Sequence, residues 1–182
     1  MVTIKQFNPD ESVLVLIDLQ DRLMPAIEHG DKVLNQCIRI AKIANLLSVP
    51  IMGTEQSPLS IGSNALEIHQ FCQTTITKEF FNACQNGLIN SLPMNRKQII
   101  VAGCETHVCV MQTALDLLRN QYDVAVLVDA AGSRRSLDKE TALQRLSEAG
   151  ATLLTVEMLA FEWLKFALHP RFKDCLTIIK AA

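Results

Sequence analysis

Three residues of this 182-residue chain are of types that together perform nucleophilic chemistry, and each stands just beyond a strand-like run. Asp18 closes the apolar run SVLVLI at 12–17. Lys78 follows a short β-branched run at 75–77. Cys109 lies beyond the apolar run 98–102 and the break at Gly103, in the stretch QIIVAGCETHVCVMQTALDLLRN at 98–120. A thiolate can attack a carbonyl, a carboxylate can take and return the proton, and an ammonium favours both anions. Each residue also has a plainer use: Asp18 as a turn or cap, Lys78 as a solvated lysine, Cys109 as a small core residue.

The positions matter because of the elements that carry them. A continuous run rich in β-branched residues, such as 12–17, reads as a strand buried on both faces, hence parallel and central. Further strands are expected at 49–53, 75–77, 98–102, 123–128 and 152–155. Helical spacing is expected at 32–47, about 85–91, from about 105 onward, 137–149, 157–168 and 172–179. Strands alternating with helices give an α/β fold with a parallel sheet covered on both faces. In such sheets ligands gather at the carboxyl ends of strands, where strand order reverses. Those are the ends that Asp18, Lys78 and Cys109 occupy.

The helix after 98–102 is expected to take Thr106 as its N-cap, with Val108, Met111, Ala114, Leu115 and Leu118 on one face. Cys109 then falls in the first turn, where orphan N–H groups and a partial positive charge favour thiolate. The turn-rich segment TEQSPLSIGSN at 54–64 and the pair Phe80-Phe81 follow neighbouring strands on the same side and are expected to wall a pocket. Candidate substrate contacts are Gln20, Glu55, Gln56, Phe80, Phe81 and Thr106, with ordinary core packing as the alternative for one of the two phenylalanines. Arg134 and Arg135 either bind an acidic substrate or are solvated loop charges.

Composition narrows the function classes. Hydrophobic residues make up 49% and charged residues 20%, which suits one globular domain spanning 1–182. The net charge of −2 gives no electrostatic reason to expect nucleic acid or an anionic membrane as partner. The start, MVTIKQFNPDES, lacks the apolar core of a signal peptide, and no run approaches the roughly 20 residues of a membrane span. A cytoplasmic location is expected by default. Six cysteines form no CxxC pair, and each is expected to be a free thiol in a reducing compartment. Four scattered histidines offer no zinc-binding spacing, and neither G-x-G-x-x-G after the first strand nor G-x-x-x-x-G-K-[ST] occurs. No metal and no cofactor are expected.

The residues also carry a family likeness. VLVLIDLQ at 13–20, TK at 77–78, VAGCETHVCVMQTALDLL at 101–118 and VAVLVDAAGSR at 124–134 resemble the isochorismatase-like cysteine hydrolases along essentially the whole chain. The pattern G-x-x-T-x-x-C at Gly103, Thr106 and Cys109 is its most specific part. DAAGSR, EAGATLLTVEML and HPRFK look most like the small isochorismatase-domain proteins of unassigned substrate. The resemblance implies a three-layer α-β-α fold with six parallel strands in the order 3-2-1-4-5-6. It implies Cys109 as the nucleophile that forms a thioester, Asp18 as general base and acid, and Lys78 as the group that keeps both in their charged forms. It further implies a cis peptide between Cys104 and Glu105, an oxyanion hole from the N–H groups of Glu105 and Cys109, and a homo-oligomer.

Two departures refine the expectation. Metal-binding nicotinamidases of this superfamily carry Asp-x-His and a further His after the second strand, where this chain has GTEQSPLSIGS without histidine. True isochorismatases lack the cysteine nucleophile. What remains is hydrolysis of a small amide, carbamoyl or ester substrate. Two readings from other classes stand beside it: a catalytically quiet binding or scaffold protein, and a redox sensor with Cys109 as peroxidatic thiol and Cys104 as resolving partner. Phe161 is expected about 160° from the stripe of Leu159, Trp163 and Phe166 if each residue turns about 100°. It then meets either a subunit partner or the terminal helix.

Overall fold

The structure is a computed structural model that describes residues 5–181. The elements in chain order are β1 (Ser12–Ile17), α1 (Gly30–Leu46), β2 (Ile51–Gln56), α2 (Pro58–Ile61), α3 (Leu66–His69), β3 (Thr74–Lys78), α4 (Leu88–Ser91), β4 (Gln98–Cys104), α5 (Met111–Arg119), β5 (Asp123–Gly132), α6 (Ser136–Glu148), β6 (Thr152–Leu154), α7 (Val156–Leu164) and α8 (Phe172–Lys180). The six strands form one sheet in the order β3-β2-β1-β4-β5-β6, and every neighbouring pair is parallel. This is the α/β architecture and the order expected above. The order reverses between β1 and β4, so those strands share the crevice.

The sheet is central because its middle strands are apolar on both sides. Every residue of β1 and of β4 is buried. Alternation along β1 sends Leu14 and Leu16 into a core with α1, α7 and α8. Val13, Val15 and Ile17 enter a second core that includes Val110, Ala114 and Leu117 of the helical segment after β4. Among the described residues no helix is long and apolar enough to cross a membrane.

Several boundaries differ from the sequence reading. β2 runs to Gln56, three residues beyond the expected end, because Glu55 and Gln56 pair in register with Thr77 and Lys78 of β3. Their polar side chains made them read as loop. β5 runs to Gly132, and its Asp129 carboxylate accepts a hydrogen bond from the Val156 backbone N–H. The helix expected at 85–91 is split by Gly87 at φ 90° into a 3₁₀ turn, Ala83–Asn86, and α4. α7 stops at Leu164, ahead of Lys165 at φ 64°, and not at Leu168. Phe161 lies with its ring centroid 6.4 Å from that of Phe172 on α8, so the terminal helix covers part of it, and it remains 40% exposed.

Candidate active site

Strand β1 ends with its backbone turning into the left-handed region at Asp18, φ 50°. Aspartate tolerates that region better than most residues, because its short side chain can bond locally. The turn brings the carboxylate beside the end of β2. Thr54, which stands opposite Ile17 in the register, donates from Oγ1 to Asp18 Oδ1 at 2.6 Å. On the other oxygen, Lys78 Nζ approaches Oδ2 to 2.7 Å. Both side chains are shut off from solvent. Lys78 reaches this place as the last residue of β3, and its ammonium also donates to Gln56 Oε1 at 2.6 Å and to Cys109 Sγ at 3.4 Å.

Cys109 is delivered by a wider turn than the sequence indicated. Residues Thr106–Val110 form a π-helical turn, with Val110 N–H bonded to Glu105 O five residues back, before α5 begins at Met111. Such turns are uncommon and cluster at functional sites. The N-cap is consequently Glu105 in extended conformation, with no side-chain cap; Thr106 is not the cap, and its buried hydroxyl has no partner among the described residues. The Cys104–Glu105 peptide bond is cis. Just before it, Gly103 at φ 118° packs so closely on β1 that a Cβ would lie 2.0 Å from Ile17 O. Only glycine permits that approach and that φ together.

The electrostatics correct the expectation of a resting thiolate. Burial pushes the Cys109 thiol up to about 12, and the neighbouring Asp18 charge raises it further than Lys78 can lower it. Removing a thiol proton here would place a second anion beside Asp18 with one ammonium to share. Helix-terminus effects are worth too little to reverse that. Cys104, proposed above as a resolving thiol, lies in the opposite core from Cys109, with its sulfur 3.8 Å from that of Met24. The sheet separates the two sulfurs, which removes the basis for that redox pair.

The remaining candidates divide by what their polar atoms touch. Gln20 is fully buried and clamps Gln56 at both ends of its peptide unit, accepting from Gln56 N–H at 2.7 Å and donating to Gln56 O at 3.0 Å. Glu55 is buried and accepts from Asn64 N–H at 2.9 Å. Both side chains brace the backbone of neighbouring segments. Phe80 and Phe81 are more than half exposed and lie outside the core. The Glu105 carboxylate is held by Arg134 through its backbone N–H and its Nε, both at 3.0 Å. Thr54 was missed by the sequence reading; its signal was its place in β2 level with the end of β1. Among the described residues no group of three or more His, Cys, Asp and Glu side chains is placed to hold a metal ion.

A family model for the isochorismatase domain matches residues 12–158. The chain belongs to the isochorismatase family. Isochorismatase family protein 1A of Dictyostelium discoideum is 35% identical, over 98% of this chain and 90% of its own length. Isochorismatase domain-containing protein 2A of Mus musculus is 36% identical, over 94% of this chain and 84% of its own. Among solved structures, MAR1 ribonuclease from Caenorhabditis elegans superposes with a TM-score of 0.92 at 31% identity, covering 98% of this chain and 94% of that one. The YcaC gene product of Escherichia coli, described as an octameric hydrolase of unknown specificity, shares the fold with a TM-score of 0.86 at 23% identity, covering 96% of each chain. Family membership supports a hydrolase in general terms.

Proposed function

We propose that this isochorismatase-family chain is a cysteine-dependent hydrolase that cleaves a small amide, carbamoyl or ester substrate through a thioester. The observation that carries the reading is the buried contact of Lys78 with both Asp18, at 2.7 Å, and Cys109, at 3.4 Å. With the thiol held near 12, sulfur is not a standing nucleophile. Its proton passes to Asp18 as the S–C bond forms, so the site never holds two unshared anions. Lys78 stays with the carboxylate and steadies the sulfur as charge develops. The carbonyl oxygen becomes an oxyanion, and the N–H groups of Glu105 and Cys109 are the donors assigned to it. Asp18 returns the proton to the leaving amine, carbamoyl nitrogen or alcohol. It then takes a proton from the water that opens the thioester, and the acid leaves with Cys109 restored as a thiol.

The exposed Phe80 and Phe81 form the rim against which the non-reacting part of the substrate packs, and the buried Thr106 hydroxyl is assigned to the substrate. The protein acts in the cytoplasm, as one domain, in a closed homo-oligomer. Incubation with a panel of small amides, ureas and esters, read by released ammonia or acid, tests the activity. At least one substrate should turn over, and Cys109→Ala should abolish that turnover. RNA is the competing substrate, since a relative of known structure is named a ribonuclease. RNA cleavage that persists in Cys109→Ala, with no amide or ester cleaved by the parent protein, would replace the thioester reading.

A further inference from the structure

Lys78 has no proton to spare. A lysine ammonium carries three N–H donors and no acceptor. Here the ammonium is ion-paired with Asp18 Oδ2 at 2.7 Å and donates to Gln56 Oε1 at 2.6 Å and to Cys109 Sγ at 3.4 Å, so all three of its near neighbours are protein atoms. The carboxylate and the sulfur belong to the chemistry described above. Gln56 is the additional partner, and its carboxamide is fixed from the far side: Nε2 donates to Glu79 O at 2.8 Å and to Ser57 Oγ at 3.3 Å. Its backbone is gripped by Gln20. The Gln56 oxygen therefore cannot be turned away from the ammonium without breaking bonds at both ends of the residue. It also lies 4.0 Å from Cys109 Sγ, so it stands beside the atom that meets substrate.

Charge is matched in the same way. The buried Lys78 ammonium is matched by the buried Asp18 carboxylate, and the largely exposed Arg134 guanidinium pairs through Nε with Glu105. An anionic group brought against Cys109 would lose its water and meet Asp18, with no free donor on Lys78 to receive it. A buried charge without a partner is strongly disfavoured. We propose that Gln56 is the specificity-determining residue of this site: by occupying the last donor of Lys78, it restricts the site to carbonyl compounds whose group beside Cys109 is uncharged. Primary amides and ureas with neutral neighbouring substituents fit. Amides with a carboxylate on the adjacent carbon do not. The statement about substrates rests on the hydrolase reading; the statement about what Cys109 admits does not.

Two reagents of almost the same shape separate these statements. Iodoacetamide and iodoacetate both alkylate sulfur, forming an S–C bond as iodide leaves and the thiol proton is lost, but only the second is an anion. Their relative rates at Cys109 are read by peptide mass spectrometry, with 2-mercaptoethanol as a neutral reference thiol. In the parent protein the iodoacetamide preference at Cys109 should exceed that of the reference by roughly tenfold or more, the scale expected for an unpaired buried charge. Gln56→Ala frees a Lys78 donor and should bring the preference at least about fivefold closer to the reference. Gln56→Met, which fills the same space without the acceptor, should act in the same direction and serves if the alanine variant misfolds. A parent preference equal to the reference overturns the proposal, as does a preference unchanged in a folded Gln56 variant. If these ratios behave as stated while no member of the amide, urea and ester panel is hydrolysed, the hydrolase reading falls and the charge filter stands. If oxamate is hydrolysed as readily as acetamide, the filter falls and the hydrolase reading stands.

Discussion

Asp18 holds the Lys78 ammonium at 2.7 Å, closer than the 3.4 Å that separates the same nitrogen from the Cys109 sulfur. The carboxylate therefore has first claim on the positive charge, and the thiol keeps its proton. The two partners act on that proton with opposite signs, Asp18 raising the thiol and Lys78 lowering it.

Substitutions at the pair should therefore split ionisation from catalysis. Asp18→Asn removes the anion, so Cys109 should ionise below its present value of about 12, seen as an alkylation rate that climbs at lower pH. Turnover should nonetheless fall by roughly 10² to 10⁴, because the base is gone. Lys78→Met should move ionisation the other way and also lose activity. The double variant should be little worse in turnover than either single one, since the groups act as a unit. Faster alkylation together with retained turnover in Asp18→Asn would remove Asp18 from the mechanism.

Gly103 should be among the least replaceable residues outside the trio. In Gly103→Ala the new methyl would collide with Ile17 O and hold a φ of 118°. We expect a loss of about 3 kcal/mol or more in urea unfolding. Gly87→Ala has open space around it at φ 90° and should cost only about 1 to 2 kcal/mol. Equal effects at the two positions would show that the β1–β4 approach is not under tension.

These relationships were legible in the sequence to different depths. Asp18 and the end of β4 could be found because buried parallel strands announce themselves as unbroken apolar runs. The last residues of β2 read as a loop walling the pocket and not as strand, since Thr54, Glu55 and Gln56 are polar and look like loop until their partners are in place. The turn at Thr106–Val110 could not be found, because over five residues the periods of α and π helices are too similar to tell apart. The surroundings of the Cys109 thiol were hidden for a different reason. Spacing reports a helix end, but burial and the distance to Asp18 decide the proton.

Exhaustive chelation should leave hydrolysis unchanged. The reacting groups assigned here are a sulfur, a carboxylate and an ammonium already bonded to one another. Activity lost with EDTA and restored by zinc or manganese would place a metal in the reaction after all.

Light scattering at micromolar concentration should give a mass above that of one 20.2 kDa chain. Phe161 is shared between Phe172 of its own chain and the surroundings. Phe161→Glu should therefore weaken both the seating of α8 and the assembly, giving a smaller particle and an earlier thermal transition. A single-chain mass for the parent protein would refute the oligomer.

The contact between Ile17 and Gly103 reaches into the history of such a site. It joins two strands at their last turns, one residue before Asp18 and six before Cys109. The spacing of base and nucleophile thus follows first from the pairing of β1 with β4, and only then from the segments 57–65 and 79–87. Those segments can lengthen, shorten or change character over generations while the proton-transfer distance stays put. Descendants of one ancestor can in this way exchange diets without relearning the reaction.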